Sequence, residues 1–414
     1  GYRNGCLFVD FFPDNTLLPP AETKQLCRTA RSRGYGFSPQ VKGIRYAARP
    51  AQRTAVLSSM KALVPPDLQS IPAGETVRTW TRHLSGRPGI RVWHAGKTVM
   101  GRDILAVEAT AGNMPARRAR LLKPTLLVNA RHHAKEVSGT NAAMALLHEV
   151  AAGGRTTGVP DRANLVVVPL ENADGVDTLE QMLPDSPDHK LHAARYNALG
   201  MEYYDQYFDR HTRFSEARVK TRLFERWLPE YMIDLHGVPS HEWEQPFSGY
   251  VNPGFKEYWI PRSFVYAILP FYGEKGHPGS GIAAALAREM STALEKQADI
   301  ITLNREIFDR YRRYAKAFEP EVYDSDMAGS LVVTPTCDRI RNINFANRKW
   351  PLVKSEIITE VLDEVATGHW LERCTRAHRV IIDAVLKTMH KEKKAVLERT
   401  AEPSTVNFAW RRQA

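Results

Sequence analysis

The sequence predicts an α/β protein built on a mixed, mostly parallel central sheet with helices on both faces. Three observations carry that reading. From about residue 76 onward, short runs rich in apolar and β-branched residues recur, several without polar alternation, as in strands covered on both sides. Helix-like stretches separate most of them. Polar clusters fall at the ends of the runs, where open sheets place ligand sites.

In chain order, residues 1–75 read as an N-terminal extension. FFPDNTLLPP, RSRGYGFSPQ and PPDLQSIPAG supply turns without sustained periodicity, and a helix is expected from Gln52 to Leu63. The strands follow as IRVWHAG from Ile90, DILAVEAT from Asp103, TLLVNA from Thr125, NLVVVPL from Asn164, EYMIDLHG from Glu230 and EIITEVL from Glu356. They make residues 76–395 the catalytic-domain candidate and leave 396–414 as a tail.

A chain of 414 residues can bury a sizeable core, and no apolar run is long enough to cross a bilayer, so the expectation is a soluble protein. The 57 Lys and Arg against 46 Asp and Glu give a net charge of +11, spread along the chain apart from a basic segment around Lys387 to Lys394. That pattern does not call for a nucleic-acid partner. Cys6, Cys27, Cys337 and Cys374 lack the short spacings of a structural zinc site. The first residue is Gly1 and not an initiator Met, so the sequence reads as a processed form or a piece of a longer protein. It leaves the compartment open, secreted and periplasmic included.

The chemistry centres on Thr125 to Gly139, where an apolar strand delivers a loop. His133 and Glu136 stand three positions apart there, a spacing that lets an imidazole nitrogen and a carboxylate converge on one zinc ion. Ser138 or Thr140 is expected to cap the next helix, which turns Ala143, Met144, Leu146 and Leu147 inward. His236 ends the strand containing Met232 and Ile233, where the chain leaves the core. Taken singly it reads more readily as a hydrogen-bonded strand-end histidine than as a ligand. Taken with His133 and Glu136 it completes a two-histidine, one-glutamate set with a coordination position open for water. Glu360 interrupts an apolar strand, where a carboxylate needs polar company, and is the candidate general base; Glu356, on the same face, competes with it. The aromatic segment His241 to Phe255 reads either as a wall of the substrate site or as an ordinary packed loop.

These motifs resemble the zinc carboxypeptidases of the carboxypeptidase A type, the funnelins. The family's H-x-x-E is matched by His133-Ala134-Lys135-Glu136, and its later strand-end histidine by His236. GIRVWHAGKTVMGRDILAVEAT resembles its opening hairpin. PLENADG resembles its P-x-x-N-P-D-G turn, with Ala173 in place of the proline, and Thr359 to Asp363 resembles the strand that carries its catalytic glutamate.

The resemblance implies further roles. Arg195 would polarise the scissile carbonyl, and Glu202, a glutamate where the family has aspartate, would buttress a metal-bound histidine. Read from the residues alone, Arg195 sits in a helix-like stretch. Tyr204 and Asp205 stand where the family has the Asn-Arg pair that grips a peptide's C-terminal carboxylate, and with Lys135 they are assigned to substrate binding. A carboxylate at that point opposes such a grip. Arg262 is another arginine available to supply it, and the family's mobile tyrosine falls among Tyr250, Tyr258, Tyr266, Tyr272 and Tyr323.

The expectation is a zinc-dependent hydrolase, a metallocarboxypeptidase-like enzyme in which zinc-bound water attacks a peptide or amide bond, with an altered carboxylate-binding position. An amidase or deacylase of the same fold, and a non-catalytic peptide- or cell-wall-binding domain, are the alternatives. The retained glutamate speaks against the last.

Overall fold

A computed structural model describes residues 63–391 apart from 112–113, 154–158, 160, 186–191, 239–261, 316–324 and 365, together with two short strands near the N-terminus. The helix expected over 52–63 and the segment His241 to Phe255 lie outside the described residues. The chain divides into two units, residues 1–62 and 63–414. In the first, β1 (Tyr2–Arg3) pairs antiparallel with β2 (Cys6–Leu7).

The second unit is built on a nine-stranded sheet of β3 (Ile90–Lys97), β4 (Asp103–Ala109), β5 (Thr125–Ala130), β6 (Asn164–Val168), β7 (Tyr231–Gly237), β8 (Val265–Leu269), β9 (Asp326–Ala328), β10 (Leu331–Pro335) and β11 (Ser355–Val361). The order across it is β3-β4-β6-β5-β7-β11-β8-β10-β9. All six strands expected from the sequence form within a residue or two of their expected ends. The short apolar runs of β8 and β10, and β9, were not expected. β8 is a five-residue run shut between Arg262 and Pro270, and β10 ends on Pro335, so neither carries a periodicity long enough to read.

Parallel pairing is less extensive than expected. It runs through β6-β5-β7-β11 and recurs between β8 and β10, while β3-β4, β4-β6, β11-β8 and β10-β9 are antiparallel. The parallel centre is therefore the part buried on both faces.

Alternation along the central strands separates two cores. Leu126, Val128, Ile233, Leu235 and Ile357 join the core under helices Ser138–Ala151, Ser280–Leu294 and Gly368–Lys391. Leu127, Val166 and Met232 face the opposite layer, with residues of Ala116–Leu122, Ser215–Trp227 and Phe345–Lys349. By the same two-residue period, Asp234, His236, Glu356 and Glu360 share the second face. Nearly all these core side chains are inaccessible to water, which at about 25 cal/mol per Å² of apolar area makes this packing the main force that fixes the strands carrying the site.

The helix after β5 begins at Ser138 without a side-chain cap of its own. Asp363, just beyond β11, accepts hydrogen bonds from the Ser138 N–H at 2.9 Å and the Ser138 hydroxyl at 2.7 Å, and Thr140 donates to the Pro169 carbonyl. The expected local cap is thus replaced by a carboxylate from a distant strand, placed where a helix N-terminus favours negative charge. Gly237 permits it, since a Cβ there would lie 2.0 Å from Asp363 Oδ1.

Candidate metal and catalytic site

The first two ligand candidates are set by the turn that leaves β5. Arg131 adopts a left-handed conformation, φ 61°, that residues other than glycine rarely accept. Its wholly buried side chain holds the turn closed, donating from Nε to the Ala134 carbonyl at 2.8 Å and from Nη1 to the Pro72 carbonyl at 3.2 Å. The turn brings His133 and Glu136 to the end of β7, where His236 arrives.

His133 Nδ1 lies 2.8 Å from Glu136 Oε1 and 3.1 Å from His236 Nδ1, and His236 Nδ1 lies 3.1 Å from Glu136 Oε2. A zinc ion with bonds of ~2.0–2.1 Å and tetrahedral angles separates its ligand atoms by about 3.3 Å, so the three donors are already spaced close to a shared coordination sphere. Two imidazole nitrogens facing each other at 3.1 Å beside a buried carboxylate can share either a ring proton or a metal cation. Glu136 Oε2, buried and without a well-formed hydrogen bond, is suited to supply a bond to it. The residues fit a metal.

Surrounding groups orient these donors. Glu202 accepts from His133 Nε2 at 3.1 Å, which turns Nδ1 toward the ligand cluster. It also faces His132 Nε2 at 2.8 Å and Arg195 Nε at 3.3 Å. Burial would raise the Glu202 carboxyl, but His133, His132 and Arg195 outweigh it and hold the group well below the usual range. His236 Nε2 lies 3.4 Å from Asp234 Oδ1. Burial, with Arg195 beside it, lowers His133, which keeps its lone pair available to a metal.

β11 pairs in parallel with β7 so that Glu360 is directly beside His236. Burial pushes the Glu360 carboxyl up to about 7, with the Glu136 charge adding to it and His236 and Arg195 opposing. A carboxyl poised there both takes and returns protons near neutrality. Glu356 faces the same way, two strand repeats deeper. Lys220 from Ser215–Trp227 pairs with it at 2.8 Å and with Asp234 at 2.7 Å, and the Phe345 N–H donates to its other oxygen. Glu356 is therefore committed to structure, and Glu360 occupies the position open to chemistry.

These groups line a cavity of about 840 Å³, counting its open mouth, walled by Ile268, Ile340, Ile343 and Ile358. Arg195 closes a 3₁₀ turn, His192–Arg195, and lies 3.6 Å from Glu136 Oε1. Tyr204 also lines the cavity. Two assigned residues lie elsewhere. Lys135 is wholly buried and pairs with Glu364 at 3.3 Å, because the tight turn points it into the core and away from the ligand side. Asp205 sits on the exposed turn Tyr204–Gln206, accepts from Gln206 Nε2 at 3.2 Å and does not line the cavity.

Several participants escaped sequence reasoning. His132, Tyr207, Lys220 and Asp234 all line the cavity. Asp234 was detectable as the residue two before His236 on the same strand face. Lys220 looks like any charged residue of an amphipathic helix until Asp234 and Glu356 are placed opposite it. Of the candidate tyrosines, Tyr266 is buried beside Arg262, whose Nη1 donates to its hydroxyl at 3.3 Å, and Tyr272 is half-buried; Tyr250, Tyr258 and Tyr323 lie outside the described residues.

The resemblance to zinc carboxypeptidases holds in comparison with known proteins. Residues 77–213 match the family model described as zinc carboxypeptidase, a span that includes His133, Glu136, Arg195 and Glu202 and stops before His236 and Glu360. The chain is similar to a metallo-carboxypeptidase from Burkholderia cenocepacia at 13% identity, covering 76% of this chain and 68% of that one with a TM-score of 0.48. It is similar to a carboxypeptidase A from Helicoverpa armigera at 11% identity, covering 78% and 74% with a TM-score of 0.47. For thrombin-activatable fibrinolysis inhibitor the values are 10% identity, 79% and 76% coverage and a TM-score of 0.49. No curated protein sequence matches.

Proposed function

We propose that this protein is a zinc-dependent hydrolase of peptide or amide bonds, with the metal held by His133, Glu136 and His236. The observation that carries the reading is the convergence of those three buried donors within 4.8 Å, beside a carboxyl raised to about 7. Zinc bound there would supply Lewis acidity toward water and the scissile carbonyl.

The chain's own residues do the rest. Glu360 accepts a proton from the attacking water and returns it to the leaving nitrogen. Arg195, partly buried at the cavity wall, presents its guanidinium to the charge that grows on the carbonyl oxygen. Glu202 holds His133 in the tautomer that binds metal. Ile268, Ile340, Ile343 and Ile358 give the cavity an apolar wall against which a substrate would displace water. A binding module has no use for a general base beside three metal donors, which disfavours the non-catalytic alternative.

The carboxylate-binding position is the finer part of the proposal. Among the described lining residues the arginine and lysine side chains are Arg195 and Lys220, and Lys220 is paired with both Asp234 and Glu356. Tyr204 replaces one half of the family's gripping pair inside the cavity, and Asp205 places a negative charge just outside it. Peptides ending in a free carboxylate at that subsite are expected to be poor substrates, and amidated or cationic ends better ones. The test is kcat/KM on matched substrates for wild type, Asp205→Asn and Asp205→Arg. An unchanged preference for the free carboxylate in wild type and Asp205→Asn sinks this part. A protein that remains metal-free after equilibration with zinc sinks the whole.

A further inference from the structure

His132 immediately precedes the ligand His133. Adjacent residues ordinarily point apart, yet both rings turn to the same carboxylate, with centroids 4.7 Å apart and planes at 73°. His132 Nε2 lies 2.8 Å from Glu202 Oε1 while His133 Nε2 lies 3.1 Å from Glu202 Oε2, so each oxygen serves one histidine. Behind His132, its Nδ1 meets the Tyr207 hydroxyl at 3.0 Å and Glu171 Oε1 at 3.5 Å. Glu171 is itself wholly buried and accepts from Asn129 and Tyr207. Tyr203 packs against the His132 ring at 4.3 Å.

We infer that His132 is a positioning residue for the metal centre, pinning Glu202 so that His133 presents Nδ1 to the ion. This rests on the reading of His133 as a zinc ligand. Glutamate has one more rotatable bond than aspartate to fix, and besides His133 the Glu202 carboxylate meets Arg195 Nε at 3.3 Å and the Tyr203 N–H at 3.2 Å, both longer contacts than the one it makes with His132. The His132 contact, at 2.8 Å the shortest of the set and itself held by Glu171 and Tyr207, narrows that freedom further. One ring nitrogen of His132 is taken up by Glu202 and the other by Tyr207 and Glu171, so Glu202 is its hydrogen-bonded link to the ligand cluster, beside the ring-edge contact with His133.

The experiment measures zinc affinity, by competition with a chromophoric chelator, and the visible absorption spectrum of the cobalt-loaded protein. The proteins are wild type, His132→Phe, His132→Gln, Glu202→Gln and the double variant His132→Phe/Glu202→Gln. His132→Phe should weaken zinc binding roughly 10–100-fold and shift the cobalt bands, as loss of a partner that orients a ligand does. His132→Gln, which still reaches Glu202, should recover most of the affinity. The double variant should be no worse than the weaker single one, because both changes cut one path. Affinity within about twofold of wild type with an unchanged cobalt spectrum, or additive losses in the double variant, overturns the inference. If His132→Phe does not fold, His132→Asn, polar but too short to reach Glu202, takes its place in the same cycle. Wild type that binds zinc while the variants bind it equally defeats this inference alone; wild type that binds none defeats the zinc reading with it.

Discussion

Two glutamates on one strand face divide between structure and chemistry according to what meets them. Glu356 and Glu360 are four residues apart, about 13 Å along the strand. The deeper one is paired with Lys220 and accepts from the Phe345 N–H, whereas Glu360 sits beside His236 with burial raising its carboxyl to about 7. Glu360→Gln should therefore keep its fold and metal but lose turnover by roughly 10²–10⁴, the usual worth of a positioned acid-base group. Glu356→Gln should instead lose about 1.5–3 kcal/mol of stability in denaturant titration, since charged hydrogen bonds are removed from a buried cluster. The opposite pattern, a stable but inactive Glu356→Gln beside an active Glu360→Gln, would overturn the assignment of the base. Arg131 offers a second test at this scale. Its positive φ costs a residue with a Cβ about 1 kcal/mol, which glycine avoids. Losing the guanidinium bonds is common to both truncations, so Arg131→Gly should be more stable than Arg131→Ala by about that amount. Equal stabilities would mean that the backbone conformation carries no strain.

At the scale of elements, what was legible depended on whether the signal lay within one segment. The strands Thr125–Ala130 and Tyr231–Gly237 announce themselves by composition, and the His133/Glu136 pair by spacing. The commitment of Glu356 could not be read, because it depends on Lys220 arriving from a helix more than a hundred residues earlier. The Asp363 cap likewise reaches Ser138 from beyond the end of another strand, and the exposure of Asp205 is decided by a three-residue turn too short to show periodicity. The seam between β11 and the helix Gly368–Lys391 carries another such pairing and a pH prediction. His378 is wholly buried against Thr359, whose hydroxyl meets its Nδ1 at 2.9 Å, and burial, with the His236 ring adding to it, pushes it down to about 3. Its unfolded value is near 6.5, so between about pH 6.5 and 3 the unfolded chain binds a proton that the folded chain refuses. The stability is fully present above that window and falls as pH is lowered through it. Denaturant unfolding of the chelator-treated protein across this range should show a shallower acid loss for His378→Gln than for wild type, whatever their difference at neutral pH. Identical slopes would show that His378 takes no part.

In the unit of residues 63–414, the proposed zinc would close the central seam of the sheet. His133 and Glu136 come from the connection leaving β5, His236 from the end of β7, and these strands are neighbours in the sheet. β11 adds Glu360 on the other side of β7. An ion held by all three donors therefore ties two crossovers that no covalent bond joins, and the site forms only when the sheet has assembled. Binding to the folded state alone must then stabilise it by mass action, by about 2.7 kcal/mol when free zinc is a hundredfold above its dissociation constant. Thermal unfolding of the intact chain should shift upward by several degrees on adding zinc and fall back with a chelator. In Glu136→Gln and His236→Ala the response should be much reduced, because each removes one strap of the seam. Glu360→Gln should respond like wild type, since it lies beside the donors without being one. This last comparison separates the two roles at the level of the molecule: a Glu360 variant that loses the zinc response would make Glu360 a ligand, and a wild type whose unfolding ignores zinc would mean that the seam is held without it.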